Sequence, residues 1–161
     1  TKGKPSPWRG VSPRDKKLGA AGITTSNASH GTNCLFLKAT SKKASPQWFS
    51  ALMPVKPKTG YMVKFDVRSK IESGLHPIVW VYYLNKKKGR VSKDITAYRT
   101  GIRQPPKSEE WRTAEQKIHT PRGTAYVQLR IQLYRTIGSG WVDNVSVVPF
   151  ERRDEVRVTW D

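Results

Sequence analysis

Tyr126-Val127-Gln128-Leu129-Arg130-Ile131-Gln132-Leu133-Tyr134 alternates without a break. Val127, Leu129, Ile131 and Leu133 fall on one parity, and Tyr126, Gln128, Arg130, Gln132 and Tyr134 on the other. Successive side chains of a β-strand point to opposite faces, so the stretch predicts one strand with a buried aliphatic face and a polar face. A solvated face is ordinarily built from Lys, Glu, Thr and Ser. This one carries amides, a guanidinium and phenols, groups that hydrogen-bond to and stack on a polar ring.

The same pattern extends outward. Strand-like runs fall at about 20–25, 33–39, 47–55, 60–68, 77–85, 91–98, 111–119, 124–134 and 140–149. Turn signals separate them: Ser29-His30-Gly31, Lys56-Pro57-Lys58-Thr59-Gly60, Glu72-Ser73-Gly74, Lys86-Lys87-Lys88-Gly89, Pro105-Pro106, Pro121-Arg122-Gly123 and Gly138-Ser139-Gly140. Short strands at this spacing predict an all-β sandwich or barrel. Residues 107–118 invite a helical reading, but Trp111, Thr113 and Ile118 favour a strand. Residues 1–17, with Pro5, Pro7 and Pro13, read as an irregular basic lead-in, residues 18–150 as the sandwich, and residues 151–161 as a last edge strand or an exit linker.

Composition narrows the partners. At 161 residues the chain is one domain able to bury a core. Lys and Arg number 30 against 12 Asp and Glu, a formal charge of +18, which points to nucleic acid, anionic lipid headgroups or acidic polysaccharide. Six Trp, six Tyr and four Phe are too many aromatics for a disordered basic tail. The single Cys34, beside Leu35, Phe36 and Leu37, reads as a small buried hydrophobe. His30, His76 and His119 lack metal-ligand spacing. No apolar stretch approaches the roughly 20 residues of a membrane-spanning helix. No signal peptide is visible, and the chain opens at Thr1, as a fragment of a longer protein would.

Three strands sort by face. Tyr61, Val63, Phe65 and Val67 oppose Met62, Lys64, Asp66 and Arg68. In residues 78–84, either Val79, Val81 and Tyr83 face the core with Trp80 and Tyr82 outward, or the reverse; the first is favoured because the neighbouring strands bury aliphatics. If the three strands pair in one sheet, its outer face carries Lys64, Arg68, Trp80, Tyr82, Gln128, Arg130, Gln132 and Tyr134. Sugars offer flat C–H patches to aromatic rings and hydroxyls to amides and guanidinium groups. A sulfate or carboxylate adds a charge that Arg meets with a planar fork and Lys with a point charge. Trp48 either lines one end of this face or bridges the sheets as packing. Trp111 and Trp141 read as structural. The Lys86-Lys87-Lys88-Gly89-Arg90 run is a solvated hairpin tip or a cationic finger at the mouth of the site, and Arg99, Arg103 and Lys107 a second wall.

The order of motifs resembles a family. His30-Gly31-Thr32-Asn33-Cys34-Leu35-Phe36-Leu37 is similar to a characteristic strand of the jelly-roll carbohydrate-binding modules appended to xylanases, glucanases and polysaccharide lyases. Gln47-Trp48-Phe49 followed by Val55-Lys56-Pro57-Lys58-Thr59-Gly60-Tyr61 resembles their next strand and corner. Glu110-Trp111-Arg112 and Pro121-Arg122-Gly123-Thr124-Ala125 continue the order, and Gly140-Trp141-Val142-Asp143-Asn144-Val145-Ser146-Val147 resembles their closing strand. The resemblance covers about residues 8–149. Members usually open with an Asn and a Phe-Glu pair, which have no clear equivalent before Trp8.

The resemblance implies an all-β jelly-roll sandwich of two antiparallel sheets without substantial helix, one sheet concave and ligand-binding, and no catalysis of its own. It implies a secreted module attached to the catalytic domain of a glycoside hydrolase or polysaccharide lyase. It also implies a structural calcium ion held partly by Asp143. With the charge of +18, the expected ligand is an acidic polysaccharide, sulfated or uronate-containing. The alternative is a basic β domain binding single-stranded nucleic acid by stacking on bases. An enzyme is disfavoured: the chain has no nucleophile elbow, P-loop, HExxH or paired carboxylates. A lyase base from Tyr82, Tyr134 or His76 is the one catalytic option.

Overall fold

A computed structural model describes residues 7–150. Among them the chain runs β1 (Trp8–Val11), β2 (Gly19–Thr24), β3 (Cys34–Ala39), β4 (Gln47–Ser50), β5 (Met53–Pro54), β6 (Gly60–Ser73), β7 (Ile78–Leu84), the single-turn α1 (Ile95–Tyr98), β8 (Arg99–Gly101), β9 (Arg112–His119), β10 (Tyr126–Gln132) and β11 (Ile137–Pro149). Two antiparallel sheets form. The first has the order β1-β4-β10-β7-β8, with β5 also pairing β10; the second has the order β2-β3-β11-β6-β9.

The alternating strands bury their aliphatic parity between the sheets. Val79, Val81, Val127, Leu129 and Ile131 from the first sheet meet Leu37, Val63, Phe65, Val67 and Val142 from the second. The favoured face of β7 is the observed one: Val79, Val81 and Tyr83 are buried, Trp80 and Tyr82 half-buried on the outside. Cys34 is buried.

Three expectations change. The lead-in is not wholly irregular, because β1 pairs with β4 at the edge of the first sheet. Residues 91–98 are not a strand: Asp94 caps a helical turn, its Oδ1 accepting the Thr96 N–H at 2.9 Å and the Thr96 hydroxyl at 2.8 Å. The third change moves residues. β6 does not pair with β7 or β10; it sits between β11 and β9 in the second sheet. The proposed edge strand or linker at residues 151–161 lies outside the described residues.

Candidate functional site

The first sheet places one outward row of side chains across its strands. Arg9 of β1 faces Phe49 of β4, Phe49 faces Arg130 of β10, Arg130 faces Trp80 of β7, and Trp80 faces Gly101 of β8. Directly opposed residues of antiparallel strands project on the same side. The row therefore reads cation, ring, cation, ring. A neighbouring row joins Gln128, Tyr82 and Arg99.

The cations lean on the rings. The Arg9 guanidinium lies 5.3 Å from the Phe49 centroid, that of Arg130 5.6 Å from the same ring, and that of Arg99 4.1 Å from Trp80. Arg130 is further fixed by donating from Nε to Gln47 Oε1 at 2.6 Å and from Nη1 to the Tyr82 hydroxyl at 3.1 Å. Arg99 Nη1 donates to the same hydroxyl at 3.3 Å. Two guanidinium groups thus converge on one phenol oxygen. Burial by itself would raise the Tyr82 pKa; the hydrogen bonds from Arg99 and Arg130, and then their charges, outweigh it and bring it below the ordinary value. Tyr98, buried at the end of α1, stacks on Tyr82 with centroids 5.9 Å apart, and Arg90 lies 4.4 Å from the Tyr98 ring. Gly101 has a steric role: a Cβ there would meet the Trp80 ring at 3.1 Å, so glycine lets the indole lie over β8.

None of the six strands of this sheet contains Asp or Glu. Among the described residues one ion pair is present, the exposed Arg112–Glu110 contact at 3.7 Å, which involves none of Arg9, Arg99 and Arg130. A hollow of about 340 Å³ opens on the face, lined by Phe49, Tyr82, Leu84, Lys88, Gly89, Arg90, Gln128 and Arg130. The lysine-rich hairpin therefore forms one of its walls. Asn85 shapes that hairpin, its Oδ1 accepting the N–H groups of Lys87 at 2.9 Å and Gly89 at 3.1 Å.

The expected site residues divide. Trp80, Tyr82, Gln128 and Arg130 come together on the face described. Gln128 is partly committed, donating to the Ser50 carbonyl at 3.0 Å. Gln132 is buried and donates to the Ser45 hydroxyl. Tyr134 is exposed beyond the end of β10, with the Arg135 guanidinium 5.5 Å from its ring. Trp48 is corrected: it is 5 % exposed, and its indole N–H donates to the Phe36 carbonyl of the second sheet at 3.1 Å. It bridges the sheets as packing. Lys64 and Arg68 are corrected with β6: they lie on the outside of the other sheet. There Arg68 sits 4.4 Å from the Trp141 ring and 5.4 Å from Trp111. Of the second wall, Arg99 joins the face, whereas Lys107 Nζ donates to the Gly74 carbonyl. Arg9, Gln47 and Phe49 were missed. A regular alternation of only four residues in β1 and β4 gave no signal strong enough to sort them.

The expected calcium can be tested on the surroundings of Asp143. Its Oδ2 accepts the His30 N–H at 2.9 Å and lies 3.1 Å from the Ser29 hydroxyl, which is 2.8 Å from Asp66 Oδ2. Its Oδ1 accepts the Asn144 N–H at 2.7 Å. Both oxygens already meet hydrogen-bond donors. Among the described residues no group of three or more His, Cys, Asp or Glu could hold a metal ion. Calcium takes six to eight oxygens; Asp143, Asp66 and the Ser29 hydroxyl bring side-chain oxygens together here, each already in a hydrogen bond. They fit a hydrogen-bonded clasp between β6, β11 and the loop before β3.

No protein-family model matches the chain, and no curated protein matches it. Solved structures do. The enzymatically active domain of bacteriophage CBA120 tailspike protein 4 superposes with a TM-score of 0.71 at 11% identity, over 90% of this chain and 20% of that one. The chain therefore spans a minor part of that protein. The CBM22-1 xylan-binding domain of Paenibacillus barcinonensis Xyn10C gives 0.59 at 10% identity, over 92% of this chain and 88% of that one. A family 16 carbohydrate-binding module gives 0.57 at 16% identity, over 85% and 89%. The likeness is one of fold: two antiparallel sheets packed as a β-sandwich like those of the carbohydrate-binding modules just described, with one helical turn among the described residues.

Proposed function

We propose that the chain is a non-catalytic carbohydrate-binding module that takes an acidic polysaccharide, sulfated or uronate-containing, on the outer face of its first sheet. One observation carries the reading. Arg9, Arg99 and Arg130 are held against aromatic rings on a sheet whose strands hold no carboxylate. A guanidinium with no internal counter-charge is prepared for an external anion, which it meets with a planar fork. Phe49 and Trp80 supply flat surfaces for the C–H patches of sugars, and Gln47 and Gln128 supply amides for hydroxyls. The formal charge of +18 raises the rate of encounter with a polyanion and makes binding salt-sensitive. Likeness to carbohydrate-binding modules supports the same reading at the level of fold. In this account the module is secreted and tethered to the catalytic domain of a glycoside hydrolase or polysaccharide lyase, raising local substrate concentration for it.

Affinity electrophoresis tests this against neutral, sulfated and uronate polysaccharides, with single-stranded DNA alongside. Retardation by an acidic glycan at physiological salt, and weaker retardation by DNA, is the expected outcome. Retardation by DNA alone would move the reading to nucleic acid.

One observation favours a second reading. A phenol with a lowered pKa between two arginines has the chemistry of a general base, able to remove the proton beside a uronate carboxylate in an elimination. Glycoside hydrolysis needs two flanking carboxylates, and this face has none. Incubation with uronate polymers is expected to give no rise in the ultraviolet absorbance of unsaturated uronate. A steady rise that Tyr82→Phe abolishes would establish a lyase instead.

A further inference from the structure

We infer that the polysaccharide carries its negative charge on alternate sugars and lies across the strands rather than along them. This rests on the first-sheet face being the glycan site. Neighbouring strands are about 4.8 Å apart, close to the advance of one pyranose in an extended chain. Arg9 and Arg130 are two strands apart, with Phe49 on the strand between them. Their separation along the row is therefore ~9.6 Å, about the length of a disaccharide. A sugar chain laid on the row meets one position per strand: cation, ring, cation, ring.

The two kinds of position ask for different sugars. At Arg130 the anion is drawn by two guanidinium groups, since Arg99 and Arg130 both donate to the Tyr82 hydroxyl. At Arg9 it meets an exposed single cation. Between them stands the half-buried apolar face of Phe49, with the Arg9 guanidinium 5.3 Å and the Arg130 guanidinium 5.6 Å from the ring centroid. A C–H patch suits that face. A carboxylate or sulfate there would compete for the same two guanidinium groups with the anions seated at Arg9 and Arg130, and would repel them. Along β10 the pattern differs. The outward neighbours of Arg130 on its own strand are Gln128 and Gln132, amides already bonded to Ser50 and Ser45. A chain running along the strand would pass from Arg130 over Gln128 to the Lys88 and Arg90 wall of the hollow, and would not reach Arg9.

Isothermal titration with three hexasaccharides of equal length tests the inference, using whichever anion, sulfate or uronate, retards the wild-type chain. One hexasaccharide is charged on alternate sugars, one on every sugar, and one is neutral. The alternating ligand is expected to bind about tenfold or more tighter than the neutral one. It should also bind tighter than the fully charged ligand, despite half the charge. Arg9→Gln should weaken the alternating hexasaccharide about tenfold and leave the alternating disaccharide within about twofold, because a single charge seats between Arg99 and Arg130. Tighter binding of the fully charged ligand, in order of total charge, would overturn the inference while leaving an acidic-glycan site in place. Equal loss for both lengths in Arg9→Gln would overturn it too. Failure of both acidic hexasaccharides to bind would remove the site itself.

Discussion

Arg130→Gln removes the guanidinium at the middle of the row and leaves the strand able to form. In the wild-type chain this group donates to Gln47 Oε1 and to the Tyr82 hydroxyl and rests against Phe49. Hydrogen bonds to a charged group are worth about 1.5–3 kcal/mol net. Losing one such bond to a bound sulfate or carboxylate should raise Kd about 10- to 100-fold, since 1.4 kcal/mol is tenfold. The fold should feel less. The internal partners of Arg130 are neutral, and Gln47 and Tyr82 sit on a half-exposed surface where water can replace the donor. Removing a positive charge beside Arg99 also relieves repulsion at Tyr82. A net cost near 1 kcal/mol lowers Tm by about 2–4 °C in a domain of this size. Titration calorimetry on the glycan that retards the wild-type chain, with scanning calorimetry on the free variant, reads both quantities. Raising salt should weaken the wild type more steeply than the variant. An unchanged Kd with the fold intact would refute the reasoning, because it would leave the central cation without a role. A collapse in Tm would refute it differently, making Arg130 a structural group.

Three further outcomes are expected. Trp48→Ala should cost about 3–5 kcal/mol, because it empties a buried site and deletes the bond to the Phe36 carbonyl; denaturant unfolding with little change in glycan affinity of the folded fraction would bear this out. The folded state releases the Tyr82 proton more readily than the unfolded chain, so the stability from this group is present above the ordinary tyrosine value and is lost as pH falls through the lowered one. Its ionised form repels an anion, so glycan affinity should fall as pH rises toward the ordinary tyrosine value, and titration of Tyr82→Phe should lack that fall. Excess chelator should leave Tm unchanged if the hydrogen bonds of Asp143 with Ser29, His30 and Asn144 alone hold this cluster; a marked drop would establish a structural calcium.

The fold was legible because its longest signals are period-two alternations that both sheets share. In β10 and β7 the buried parity is aliphatic, and Trp80, Tyr82 and Arg130 came out on the face where they stand. Alternation reports which side of a strand is buried; it does not report which sheet the strand joins. β6 has the same pattern as β10, so Lys64 and Arg68 were grouped with a face that lies on the far side of the sandwich. Trp48 and Phe49 are adjacent, so one of them had to face inward, and pairing of Phe49 with Arg130 decides which. Residues 91–98 carry hydrophobic side chains, but the bonds between Asp94 and Thr96 bend the backbone into a turn before β8. Arg9 lies in a proline-rich lead-in whose strand is made by pairing with β4, a long-range event with no local trace.

The central claim is that the aromatic and arginine face of the first sheet is where an acidic glycan binds. Arginine Nε–Hε correlations, followed by NMR as the glycan is added, address it most directly. The signals of Arg9, Arg99 and Arg130 should shift together and saturate at one Kd, while Arg68, stacked between Trp141 and Trp111 on the other sheet, stays still. Saturable shifts at Arg68 with Arg99 and Arg130 unmoved would place binding on the opposite face and contradict the account.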